Sequence, residues 1–176
     1  HYLDRAIRLS QNDVYWRTRT ALFTQQFTAR VQSADPDKTQ LQAYFTQAEQ
    51  SARAAIAWDQ NSTLNWLALS QVYQLVANNN NLDAYTNAIQ AGDEAKKRSP
   101  NNPVLAINDA QLALLKQDTA GALSAIDRAL VLKPNYLDAY VLRAQIRVSQ
   151  GDNQAPVDEL TRYINVVPFD DQGYLL

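Results

Sequence analysis

The sequence predicts an all-α protein, a stack of helical hairpins, and three observations carry that prediction. Prolines recur at a fixed interval, with Pro100, Pro134 and Pro168 standing 34 residues apart. Between them, alanine and aliphatic residues return with the three-and-four spacing that lines one face of a helix. Glycine is scarce, 4 in 176 residues, in a chain that is 46% hydrophobic, so little of the backbone is composed for left-handed turns or bulges.

Each element follows from this pattern in chain order. Residues 2–10 match the pattern of Ile126 to Leu132 and predict the tail of a hairpin's second helix. Gln11, Asn12 and Asp13 make a turn, and a helix runs from about Val14 to Gln32 with Tyr15, Trp16, Ala21, Leu22 and Phe23. Asp35 and Pro36 predict the next start, an Asp cap followed by proline at the first helical position. That helix reaches about Trp58 and carries Leu41, Phe45, Ala48, Ala52, Ala55 and Ile56 on one stripe. Ser62 or Thr63 caps a helix from Leu64 to Ala77. Asn78 to Asn81 form a dispensable polar loop, and a helix from Leu82 to Arg98 ends on Lys96, Lys97 and Arg98, which complement its dipole.

The next two units are the clearest. In Ala120 to Tyr136, Ala122, Ile126 and Ala129 form the buried stripe, and Asp127 and Arg128 fall on the wet face. Pro134 ends the helix. Leu137, Tyr140, Val141, Ala144 and Val148 make a second stripe, Gly151 to Asn153 break it, and a helix from Gln154 to Val166 stops at Pro168. Asp171 to Leu176 begin another helix.

A 34-residue period of two helices closed by proline resembles the tetratricopeptide repeat. The resemblance rests on small Ala110 and Ala144 in first helices, on Ala122 and Ala129 in a second helix, and on the bulky, bulky, small, aromatic series Trp66, Leu69, Ser70 and Tyr73. It implies a right-handed superhelix, an α-solenoid, as one domain over residues 1–176. The repeats fall near 14–62, 63–102, 103–136 and 137–170, with half-hairpins at 1–13 and 171–176. Arg143 and Arg147 depart from the pattern where apolar residues are usual, and Pro156 stands where a small alanine is usual. Either that helix packs less deeply or a neighbour supplies partners for the arginines.

Composition bounds the function. A net charge of −2 gives no basic field for nucleic acid. With no cysteine and one histidine there is no disulfide, thiolate metal site or catalytic dyad, so no cofactor, metal or catalytic residue is expected. No apolar run reaches the length of a membrane span, so no membrane contact is expected within this segment. The chain opens on His1 without methionine, which points to a piece of a longer protein. The adjacent acids Asp158-Glu159 and Asp170-Asp171 read as solvated or helix-start charge. Trp16, Trp58, Trp66, Tyr73 and Tyr140 read as packing between hairpins. Asn61-Ser62-Thr63 fits a glycosylation acceptor on a turn.

In tetratricopeptide proteins the first helix of each hairpin lines the concave face. The resemblance therefore implies a partner surface of Thr18, Leu22 and Gln25, then Leu67, Gln71 and Gln74, then Ile107, Asn108 and Gln111, then Val141 and Gln145. Its amides suit an extended backbone or sugar hydroxyls through neutral hydrogen bonds. Thr18, Leu67, Ile107 and Val141 stand where a carboxylate clamp would carry basic residues, which argues against a chaperone-tail clamp. The expected function is a non-catalytic scaffold for a protein or peptide partner, with glycan contact a further option. The alternative is self-assembly of copies head to tail, because Tyr2, Leu3, Ile7 and Leu9 at one end and Tyr174, Leu175 and Leu176 at the other are apolar. Asn65 to Tyr73 resembles first-helix wording in repeat modules of bacterial O-antigen-ligase-like membrane proteins, which implies an extracytoplasmic, cell-envelope setting.

Overall fold

The computed structural model describes residues 12–77 and 81–167, and these residues form eight helices and the turns between them. The chain divides into two units, His1–Pro100 and Asn101–Leu176.

The first unit holds α1 (Asp13–Val31), α2 (Lys38–Trp58), α3 (Thr63–Gln74) and α4 (Leu82–Arg98). Each packs on the next, and α1 also reaches α3. Helix α1 is rich in threonine, a poor helix former. Thr18, Thr20, Thr24 and Thr28 each donate a hydroxyl to the carbonyl four residues back, which places their polar groups on the helix itself. Helix α2 buries Ala48, Ser51, Ala52 and Ala55, and α4 buries Ala84, Ala88, Ala91, Gly92 and Ala95. Small residues on both allow close approach. Ser70 of α3 comes near enough to donate to the Ala88 carbonyl of α4 at 2.8 Å. Buried Asn65 ties three helices together. Its Nδ2 donates to the Ala55 and Asp59 carbonyls, and its Oδ1 accepts from Arg17 of α1.

The second unit holds α5 (Pro103–Leu115), α6 (Thr119–Leu132), α7 (Leu137–Ser149) and α8 (Ala155–Val166). Asn102 caps α5 ahead of Pro103, whose missing N–H costs nothing at a helix start. The core gathers Ala106, Ile107 and Ala110 of α5, Ala122, Ala125, Ile126 and Ala129 of α6, and Ala139 and Ile146 of α7. The α5–α6 and α7–α8 turns share one design. Gln117 at φ 61° and Gly151 at φ 94° occupy the left-handed region. The following amides, of Asp118 and Asp152, bond back to the Ala113 and Arg147 carbonyls at 3.0 Å.

Several local expectations change. Helix α2 starts after Asp37, not at Asp35-Pro36, because the Asp37 carboxylate takes both the Thr39 and Gln40 amides. Ser62 precedes α3 but makes no side-chain cap, and the Thr63 hydroxyl pairs with Ser99. Asn81 is a cap that accepts from the Ala84 amide, not loop filler. The rest of the asparagine loop, Pro168, and the segments 2–10 and 171–176 lie outside the described residues. The second stripe lies on one face, with all five residues bordering a single groove, but only Tyr140 and Ala144 are buried, whereas Leu137, Val141 and Val148 are exposed. Trp58 is exposed as well.

Candidate partner-binding surface

The candidate residues lie on the first helix of each hairpin. On α1, Thr18, Leu22 and Gln25 are all exposed and stand four and three apart, one face of the helix. The Thr18 hydroxyl is already committed to the Val14 carbonyl. On α3, Gln71 is exposed, while Gln74 is half-buried and donates to Ser70 Oγ at 3.3 Å. On α5 Gln111 is exposed, and on α7 Val141 and Gln145 are exposed.

Three members differ from expectation. Leu67, Ile107 and Asn108 are buried. Ile107 is part of the second unit's core, and Leu67 lies among the buried residues of α3. These side chains support the surface from beneath and offer no contact of their own. What remains outward is Gln71 on α3, Gln111 on α5, and Gln145 with Val141 on α7. A neutral amide both donates and accepts, so each of these glutamine positions suits backbone peptide groups or hydroxyls better than it suits charge.

Two grooves flank these helices. In the first unit, a cavity of about 450 Å³ lies between α2, α3 and α4, bordered by Arg53, Trp66, Tyr73, Asn87, Gln90 and Asp93. The Tyr73 hydroxyl donates to Glu49 Oε1 and accepts from Arg53, each at 2.6 Å. Burial, and then the bond to Glu49, push the Tyr73 phenol above its ordinary value of 10.0. Trp66 donates to the Gln60 carbonyl and lies under the Arg98 guanidinium at 4.8 Å. The basic helix end is internally matched: Lys96 pairs with Asp93, and Lys97 and Arg98 pair with Glu94. Those hydrogen bonds, Lys97 first, hold the Glu94 carboxyl below the usual range.

In the second unit, a groove of about 460 Å³ between α7 and α8 is almost wholly apolar, lined by Leu137, Tyr140, Val141, Val148, Pro156 and Leu160 among others. Beneath it sits a charge network in which the neighbouring helix supplies the partners of Arg143 and Arg147, one of the two readings of those arginines, though the sequence does not identify Glu159 as that partner. Glu159, only 1% exposed, accepts from Arg143 Nε and Nη2 on one oxygen and from Arg147 Nη1 on the other. Arg147 also pairs with Asp152 and Asp158. The Asp152 and Glu159 bonds, in that order, raise its pKa. Reading Glu159 as solvated charge is therefore wrong. A buried carboxylate needs paired donors, and the two arginines four residues apart on α7 are those donors. Their departure from the apolar pattern was the signal that a carboxylate faces them.

Among the described residues, no group of three or more histidine, cysteine, aspartate or glutamate side chains is arranged to hold a metal ion. No helix there is long and apolar enough to cross a membrane. Compared with known protein families and with curated proteins, the chain matches none.

Proposed function

We propose that this chain is a non-catalytic scaffold of the tetratricopeptide type, whose hairpins wind into a right-handed superhelix and hold a protein or peptide segment along their first helices. The observation that carries the reading is the hairpin series itself. Helices α5 and α7 start 34 residues apart, at Pro103 and Leu137, and each is followed by a partner helix across a turn of the same hydrogen-bond design. A repeat of this kind buries its apolar face against its neighbours and leaves its outer faces for recognition. In this reading the contacts fall on Thr18, Leu22, Gln25 and Gln71 in the first unit and on Gln111 and Gln145 in the second. The likeness of Asn65 to Tyr73 to modules of O-antigen-ligase-like proteins supports a place in a bacterial envelope assembly, outside the cytoplasm.

Site-specific photocrosslinking in cells that make the protein tests this. A photoreactive residue at Gln71, Gln111 or Gln145 should give the same discrete adduct, while one at Arg128 or Val131 of α6 should give none. Adducts of equal strength from both sets, or from neither, would refute the partner surface.

A second reading, self-assembly of copies, is favoured by the open apolar groove of α7 and α8. Sedimentation over a concentration series separates it from the first. A single monomeric species at every concentration excludes it.

A further inference from the structure

We propose that the cavity between α2, α3 and α4 binds a neutral sugar. Two helix faces build it. Trp66, Leu69 and Tyr73 recur three and four apart on α3, and Asn87, Gln90, Glu94 and Lys97 do the same on α4. Leu69 and Ala91, 5% and 3% exposed, make the floor. Alanine at that point leaves depth that a larger side chain would fill. The volume of about 450 Å³ is that of a small-ligand pocket. Gln71 stands two residues from both Leu69 and Tyr73, about 200° round the helix. The cavity therefore lies on the other side of α3 from the proposed contact residue.

The chemistry of the lining selects the ligand. Every charged residue on it already has an opposite partner within the protein: Arg53 pairs with Glu49, Lys97 with Glu94, and Asp93 with Lys96. A charged ligand would have to compete with these pairs. The Tyr73 hydroxyl is likewise held, between Glu49 and Arg53. The polar groups left over are two neutral amides. Asn87, half-buried, and Gln90, exposed, stand three apart on α4, and neither side chain has a partner among the described residues. Each offers an acceptor oxygen and two N–H donors, which matches hydroxyls that donate and accept at once. The rest of the wall is aromatic. Arg98 covers one face of the Trp66 indole at 4.8 Å, and the ring also borders the cavity. An aromatic face is electron-rich, and the C–H bonds of a pyranose, polarised by their oxygens, pack on it. A ring apolar on its faces and hydroxylated at its rim meets both demands in one small molecule, whereas a bare peptide backbone meets only the amides. The inference needs neither the repeat reading nor the glutamine contacts, so it stands or falls apart from them.

Saturation-transfer NMR of the full chain with glucose, galactose, mannose and N-acetylglucosamine tests this. At least one sugar should receive saturation, strongest at its ring C–H protons. Asn87→Ala with Gln90→Ala should weaken that binding by about tenfold, the loss of two neutral hydrogen bonds. The helical circular dichroism should stay unchanged, because neither amide bonds within the described protein. If the pair disturbs folding, Gln90→Ala alone, at an exposed position, serves and should weaken binding by about threefold. Gln71→Ala with Gln111→Ala should leave the sugar affinity as it is. A uronate and an amino sugar of the same configuration should bind no tighter than the neutral sugar, and added salt should not weaken the neutral sugar's binding. An acetylated triglycine amide is the peptide probe. No transfer to any of the sugars, transfer that survives the amide substitutions, or tighter binding of either charged sugar would each overturn the proposal. So would a triglycine probe that binds tighter than every sugar and loses that binding in the amide variant, which would assign the cavity to a peptide.

Discussion

At the scale of single residues, charge and burial decide which substitutions matter. Glu159 holds Arg143 and Arg147 from beneath the last hairpin. Glu159→Gln should leave both guanidiniums short of a carboxylate and lower the urea midpoint far more than Asp127→Ala. Asp127 is 68% exposed and meets Arg143 only at 3.3 Å, so its loss should change stability by about 0.5 kcal/mol or less. Equal midpoints for the two variants would contradict the network. Tyr73 makes a second prediction. Its folded pKa is raised above the ordinary 10.0, so its contribution to stability is fully present below pH 10. It is lost as pH rises through the folded value. Subtracting the alkaline absorbance titration of Tyr73→Phe from that of the parent should show a phenolate that appears later than free tyrosine. An ordinary midpoint would argue against the Glu49–Tyr73–Arg53 bridge. The arginines announced that they needed partners, but the identity of Glu159 and the role of Tyr73 were not legible beforehand. An aromatic at helical spacing and a pair of adjacent acids each have a bland reading, and only the facing helix reveals the partner.

At the scale of the element, much was readable. The alanine stripes on α2 and α6 are buried as expected, because small side chains at three-and-four spacing have no better use than close packing. Ala122→Glu or Ala129→Glu should force an unpaired carboxylate into the second unit's core and cost several kcal/mol, about 3 or more, in a urea melt. The caps were read less well. Asp35-Pro36 has the composition of a helix start, yet Asp37 two residues later satisfies two amides at once and wins. Asp37→Ala should cost about 1 kcal/mol, and Asp35→Ala should cost much less; a reversal would restore the earlier start. The stripe on α7 was legible in kind but not in depth. Leu137, Val141 and Val148 keep the spacing of a buried face, but periodicity does not say whether a neighbour is present to cover it.

At the scale of the whole molecule, every described helix pairs with one close in sequence, and contacts that local favour a stability close to a sum over hairpins and their interfaces. All three tryptophans, Trp16, Trp58 and Trp66, belong to the first unit. Ala129→Glu in the second unit should therefore lower the melting midpoint seen by circular dichroism more than the one seen by tryptophan fluorescence. Coincident midpoints would mean one cooperative block. The hairpin order was visible in the proline spacing, because a period survives changes of side chain. The composition of the candidate surface was only partly visible. Leu67, Ile107 and Asn108 share helices with the exposed glutamines but are buried, where neighbouring packing excludes water.

The two turns of the second unit are built on one backbone design. Gln117 and Gly151 stand 34 residues apart and carry the same left-handed backbone, yet only one of them is the residue for which that conformation is free. The α5–α6 junction thus holds a correctable inefficiency. Gln117→Gly should stabilise the chain by up to about 1 kcal/mol, and Gly151→Gln should remove about as much. The shape of the junction is held by its backbone bonds, so the series could be lengthened by copying either turn without redesigning the helices it joins.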